Sequence, residues 1–166
     1  MAFSAPEPIS DRHVLEDFDC GKQGLNNWLK SHAFSNHQKG FTAVMVVHEN
    51  MQVIGYYGLA PTSIAPASLT RKVRTGQHPD PIPCLLLGQL AVDKKYIGKG
   101  IGSGLLKHAL KACLNAAKLV GGRALIVKAI DEEAAAFWRK QGFLPTSDDP
   151  MQLFRSMAHV AVSVGY

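Results

Sequence analysis

The sequence predicts a mixed α/β fold, with strands and helices following one another around a single sheet. Three stretches carry this prediction. Residues 41–48 and 53–60 are apolar and β-branched, and Glu49-Asn50-Met51-Gln52 between them supplies a polar turn, the pattern of a β-hairpin. Residues 85–93 read as a buried strand that passes through a short connector, 94–97, into a glycine-rich turn and a long amphipathic helix. Residues 123–129 form a second buried strand, followed at Asp131 by a helix-capping residue.

Length and composition narrow the class. A chain of 166 residues suggests one domain, 1–166, able to bury roughly 70% of its unfolded surface. Hydrophobic residues make up 46% and charged residues 19%, which excludes a disordered chain. No apolar run approaches the roughly 20 residues of a membrane span, and the first residues lack a basic stretch followed by an apolar core, so neither a membrane protein nor a signal peptide is expected. Cys20, Cys84 and Cys113 are odd in number and far apart, the pattern of three reduced thiols in a cytoplasmic protein. The net charge of +5 suits a polyanionic partner.

Each element follows from local chemistry. Residues 5–9 form a short edge strand, because Pro6 and Pro8 cannot both sit inside a ladder. Asp17, Asp19 and Gly21 mark a turn and a helix start. Leu25, Trp28, Leu29, His32, Ala33 and Asn36 then repeat at helical spacing as an inward face, opposite Lys22, Asn26, Asn27, Lys30, Ser31 and Gln38, and Gly40 ends the helix. Residues 61–83 hold five prolines and the basic trio Arg71, Lys72 and Arg74, and read as a long connection, functional or mobile, whose trio is either a solvated loop or a phosphate-backbone contact. The helix over 102–120 buries Leu105, Leu106, Ala109, Leu110, Cys113, Leu114 and Ala117 and exposes Lys107, Lys111 and Lys118, with His108 at the surface. A helix runs from Asp131 through Gln141 and closes at Gly142. Residues 143–145 and 151–155 form a last hairpin, and 156–163 make a short helix or strand.

The glycine-rich turn is the most informative feature. Gly98, Gly100, Gly102 and Gly104 alternate at the start of the helix. Glycine permits positive φ and close backbone approach, so several N–H groups can converge at a helix N-terminus and hold phosphate without a basic side chain. The spacing is not a P-loop, since no G-x-x-x-x-G-K occurs. It is not the dinucleotide fingerprint either, because the third glycine would fall on Ser103 or Leu105. A pyrophosphate-bearing ligand of another class is implied.

Two motifs carry a family resemblance. One is the turn beginning Gly98-Lys99-Gly100-Ile101-Gly102 after Leu90-Ala91-Val92-Asp93. The other is Ala136-Phe137-Trp138-Arg139-Lys140-Gln141-Gly142-Phe143. In this order they resemble the GNAT superfamily of acetyl-CoA-dependent N-acetyltransferases over residues 42–155. The N-terminal half extends the likeness to the GNAT toxins of bacterial toxin–antitoxin modules, through Phe18-Asp19-Cys20-Gly21, Leu25-Asn26-Asn27-Trp28-Leu29, Gly55-Tyr56-Tyr57-Gly58-Leu59 and Asp149-Pro150-Met151. The resemblance implies a central mixed, mostly antiparallel sheet of six to seven strands, splayed between the fourth and fifth and flanked by about four helices.

It also implies a site. Backbone groups of Leu90, Ala91 and Val92 would bond the pantetheine. The turn Gly98, Lys99, Gly100, Ile101, Gly102, Ser103 and Gly104 would hold the pyrophosphate, and Phe137 would line the cofactor. The family's catalytic tyrosine falls on Trp138, whose indole N–H can donate a hydrogen bond but cannot serve as an acid near neutral pH. Ile97 stands where the signature has Gln or Arg, so the cradle must work through its backbone. No metal is implied. The implied reaction is acetylation of the amino group of aminoacyl-tRNA, which blocks translation. Its RNA contacts would come from Lys22, Lys30, Arg71, Lys72, Arg74, Lys94 and Lys95. The implied partners are a ribbon–helix–helix antitoxin, operator DNA only through it, and a second copy of the chain. Two alternatives stay open: a GNAT enzyme acting on a small amine or protein N-terminus, and a non-catalytic acetyl-CoA-binding module.

Overall fold

The computed structural model describes residues 3–165. Its strands are β1 (Glu7–Pro8), β2 (Ala43–Glu49), β3 (Gln52–Ile64), β4 (Ile82–Val92), β5 (Ala124–Lys128), β6 (Leu144–Pro145) and β7 (Gln152–Ser156). They follow the order β1-β2-β3-β4-β5-β7-β6 in a mixed sheet. The helices are α1 (Gln23–Trp28), α2 (Phe34–Gln38), α3 (Arg71–Arg74), α4 (Ile101–Val120), α5 (Glu132–Lys140) and α6 (Met157–Ser163). The expected mixed, mostly antiparallel sheet is present. Residues 156–163 resolve as a helix, capped by the Ser156 side chain on the His159 N–H.

The chain forms two compact units. The first comprises residues 3–60 and 88–109. Here β2 and β3 pair antiparallel, with a bulge at Val47/His48. Asn50 and Met51 both have positive φ in the connecting turn, as a tight hairpin with the sheet's natural twist requires. The core of this unit gathers Ile9, Phe18, Leu29, Ala33, Val44, Val46, Val53, Tyr56 and Ala91.

The N-terminal helix differs from its predicted faces. A π-helical turn, Leu29–Ala33, joins α1 to α2. That wider turn breaks the three-four repeat, so His32 is exposed rather than inward. Asn26, expected on the polar face, is 4% exposed. Its Oδ1 accepts the Cys20 N–H at 2.8 Å and its Nδ2 donates to Asp19 at 3.0 Å.

The second unit comprises residues 61–87 and 110–165. β4 and β5 pair in parallel from Leu85–Leu125 to Leu87–Val127, where the register ends. β5 and β7 pair antiparallel over five residues. The core of this unit gathers Ile64, Leu69, Val73, Ile82, Cys84, Ala124, Ile126 and Phe154. Residues 61–83 are more ordered than their prolines suggest. β3 reaches Ile64, a 3-10 turn covers Pro66–Ser68, and the basic trio lies on α3 rather than on an open loop. α3 forms because Val73 is buried and anchors it, leaving Arg71 and Lys72 exposed.

Candidate functional site

The glycine turn and the start of α4 lie in the first unit. Gly98 and Gly100 have φ of +86° and +80°, so glycine is conformationally required at both. A Cβ at Gly98, Gly100 or Gly104 would meet nothing within 4 Å, and one at Gly102 would touch only Val92 at 3.6 Å. No packing constraint excludes a side chain at these positions. The space over the turn is open, as a ligand-approach surface demands.

The Gly104 N–H donates to the Gly100 carbonyl at 3.0 Å, opening α4. Amides earlier in the first turn have no intrahelical acceptor, by helix geometry. The first turn contains no acidic residue to compete with an anion. Lys99 and Ser103 are exposed, and Ile97 is 68% exposed. This set fits a pyrophosphate held by backbone donors and the positive end of a 20-residue helix.

The approach to the turn is tied down from behind. Asp93 is 2% exposed and follows β4. Its Oδ1 accepts the Lys95 N–H at 2.9 Å and its Oδ2 the Asp19 N–H at 3.1 Å. Asp19 also accepts from the Gly21 N–H and Asn26, and its Oδ2 lies 3.0 Å from Lys94 Nζ. The Gly21 amide bond, then Asn26 and Lys94, hold the Asp19 carboxyl far below the usual range. Tyr96 adds a bond from its hydroxyl to Glu49 at 2.9 Å. This network explains the Phe18–Gly21 and Asn26 motif as a brace for the strand end. Local chemistry in the sequence signalled a turn there, and the family motif carried no structural role for it.

Both candidate phenols in this unit are engaged. Tyr56 is fully buried and donates to the Leu25 carbonyl at 2.7 Å, and burial, with a contribution from the Cys20 charge, raises its pKa. The Tyr57 hydroxyl lies 2.7 Å from His108 Nδ1. His108 is therefore half-buried and bonded, not the surface residue expected. Sequence spacing alone does not bring β3 and α4 together at this pair.

Glu7, His13 and His48 also converge, with ligand-type atoms within 4.8 Å of one another. Their hydrogen bonds do not suit a cation. His13 Nδ1 accepts the Ser10 N–H and His48 Nδ1 the Met51 N–H. Each neutral ring therefore carries its proton on Nε2, the atom that faces Glu7. A metal would need that atom deprotonated. Burial opposes ionisation of Glu7, but the hydrogen bonds from His48 and His13 outweigh it and hold its carboxyl below the usual range.

In the second unit, Trp138 is 7% exposed within an aromatic file, its ring 5.0 Å from Phe137 and 5.1 Å from Phe143, both edge-to-face. Phe137 is 42% exposed. Asp131 caps α5 by accepting the Ala134 N–H. Arg155 caps the other end, donating to the Gln141 carbonyl and lying over the Phe143 ring. The aromatic file is thus fixed at both ends of a nine-residue helix.

The expected RNA contacts divide by environment. Lys30 and Lys95 are exposed, Lys22 is half-buried at the start of α1, and Lys94 is partly neutralised by Asp19. Arg71 and Lys72 are exposed in the second unit. Arg74 instead lines an open cleft of about 440 Å³ together with Arg123, which the sequence did not single out. The three cysteines are free, and burial pushes the Cys113 thiol up to about 12.

Residues 40–145 match the acetyltransferase (GNAT) domain family. The chain is similar to the tRNA-acetylating toxin of Mycobacterium tuberculosis, 37% identical over 163 residues and covering 98% of each chain. Its structure is similar to that of AtaT complexed with acetyl-methionyl-tRNA (TM-score 0.88, 28% identity, 98% and 99% of the two chains). It is also similar to a tyrosine-to-phenylalanine AtaT variant bound to acetyl-CoA and the C-terminus of the antitoxin AtaR (TM-score 0.83, 27% identity, 100% of both chains).

Proposed function

Because the chain belongs to the GNAT acetyltransferase family, we propose that it transfers the acetyl group of acetyl-CoA to the amino group of aminoacyl-tRNA and thereby blocks translation. The observation that carries this reading is the extent of the match to the tRNA-acetylating toxin. It covers 98% of both chains, so it takes in the braced N-terminal segment that lies outside the family domain.

In this reading residues 1–166 act as one domain. The amides of residues 98–103 bind the pyrophosphate, supported by Lys99 and the α4 dipole. Leu90, Ala91 and Val92 offer backbone groups to the pantetheine, and Phe137 and Trp138 flank its reactive end. The acceptor amine attacks the thioester carbonyl as the neutral nucleophile, the tetrahedral intermediate breaks its C–S bond to expel the CoA thiolate, and the proton shed by the nitrogen passes to water or to the departing thiolate. Holding both reactants together supplies roughly 7–11 kcal/mol of the barrier reduction, so catalysis does not depend on one residue. Lys22, Lys30, Lys94, Lys95, Arg71, Lys72 and Arg74 serve as RNA contacts. AtaT binds the C-terminus of AtaR, and a ribbon–helix–helix antitoxin is the corresponding partner here, with operator DNA reached through it and a homodimer as the assembly. No helix among the described residues is long and apolar enough to cross a membrane. In this reading the protein acts in the cytoplasm, where charged tRNA is.

Purified protein, bulk charged tRNA and labelled acetyl-CoA test the reading. Label should appear on the aminoacyl end. Its absence from every charged tRNA would sink the assignment.

A further inference from the structure

The second unit holds a positively charged cleft at the C-terminal end of α4, and we infer that it is a binding site for a backbone phosphate of the acceptor RNA. Two arginines from distant parts of the chain meet there. Arg123 Nε donates to the Val73 carbonyl, so the guanidinium is fixed beside Arg74, the next residue of α3. Anchoring through Nε leaves the terminal amino groups of Arg123 for a ligand. Those groups form the planar fork that takes phosphate oxygens in pairs. Arg74 Nε is buried without an acceptor among the described residues.

No Asp or Glu lines the cleft. Neither guanidinium is paired with a carboxylate among the described residues. An anion in the cleft they share would supply the counter-ion that both guanidinium groups lack. The remaining wall includes Ala117 and Val120. Arg71 and Lys72, exposed on the same α3, extend the positive surface. The cleft is open to solvent, which fits a phosphate within a continuous strand.

This inference rests on the aminoacyl-tRNA reading, and the two fail differently. The test measures binding of deacylated bulk tRNA to wild type and to the Arg74→Ala, Arg123→Ala double variant across a salt series. Acetyl-CoA affinity, by equilibrium dialysis, reports folding. The double variant should bind tRNA about tenfold more weakly, with its log–log salt slope flatter by about one to two, and hold acetyl-CoA as wild type does. If the double variant does not fold, Gln77→Glu, which places a negative charge on the exposed rim of the same cleft, should weaken tRNA binding several-fold. Unchanged tRNA affinity and salt slope overturn the site. So does loss of poly-glutamate binding with tRNA binding intact, which would make the cleft a seat for an acidic polypeptide. Failure of wild type to acetylate any charged tRNA counts against the underlying reading alone.

Discussion

The carboxylate of Asp93 receives the backbone N–H of Asp19 at 3.1 Å, joining residues 74 positions apart just before the glycine turn. Asp93 also receives the Lys95 N–H, and its own N–H donates to the Ile54 carbonyl at 2.8 Å. Replacing Asp93 by Ala strands two donors beside a buried position. At about 1–3 kcal/mol for each of the two unsatisfied groups, the variant should lose about 2–6 kcal/mol in urea unfolding. Acetyl-CoA affinity should fall as well, because the connector leading into the turn loses its anchor. A stability loss with unaltered cofactor affinity would show that the brace does not position the cradle.

Asp19 makes a prediction about acid. Its pKa is lowered on folding, first by the Gly21 N–H, then by Asn26 and Lys94. Its contribution is therefore complete above the unfolded carboxylate value of about 4 and is lost as pH falls toward the folded value. Within that window the unfolded chain binds the extra proton, so stability rises with pH. Asp19→Asn should flatten the rise between about pH 2 and 4 and leave the slope above pH 5 unchanged. Denaturant titrations at a series of pH values give the slope. Glu7 and Asp148 are also lowered, so part of the acid sensitivity should persist.

The glycines separate stability from ligand binding. Gly102 lies in α4 without positive φ, and an added Cβ would meet only Val92 at 3.6 Å. Gly102→Ala should raise the stability of the unliganded protein by up to about 1 kcal/mol, through helix propensity, while weakening acetyl-CoA by intruding on the amides. Thermal unfolding and equilibrium dialysis should thus move in opposite directions. Gly100→Glu should abolish acetyl-CoA binding by charge repulsion. Full activity in that variant would remove the cradle assignment.

What could be read from sequence divides along physical lines. The hairpin, β5 and the helices α4 and α5 were legible because their signals are local: alternation, three-four spacing, an Asp131 cap and a Gly142 stop. The glycine turn was legible because four alternating glycines at a helix start are a local signal, and φ near +80° at Gly98 and Gly100 disfavours any other residue there. The π turn at Leu29–Ala33 was not, since nothing in its composition forbids an α-helix. Nor were the long-range pairs. Tyr57–His108, Ser68–Asp148 and the meeting of Arg74 with Arg123 depend on strand register and helix placement. Asn26 and His32 lie on faces that polarity and periodicity do not predict, because hydrogen bonding buries the one and the wider turn exposes the other.

Trp138 yields the sharpest chemical test. Its ring is 7% exposed and packed edge-to-face with Phe137 and Phe143. Trp138→Ala should therefore cost about 3–5 kcal/mol and is uninformative about chemistry. Trp138→Tyr keeps an aromatic ring in the file and adds a phenol able to give up a proton. If the residue borders the leaving thiolate, general-acid catalysis typically adds about 10²–10⁴-fold, and some of that should appear as a higher kcat with acetyl-CoA affinity little changed. The new phenol should also bring an alkaline limb to the pH–rate profile that wild type lacks, because an indole does not titrate there. Trp138→Phe, which has neither proton donor nor indole N–H, should be slower than both. Equal turnover in wild type, Trp138→Tyr and Trp138→Phe would mean that the ring only packs, and that positioning alone drives acetyl transfer.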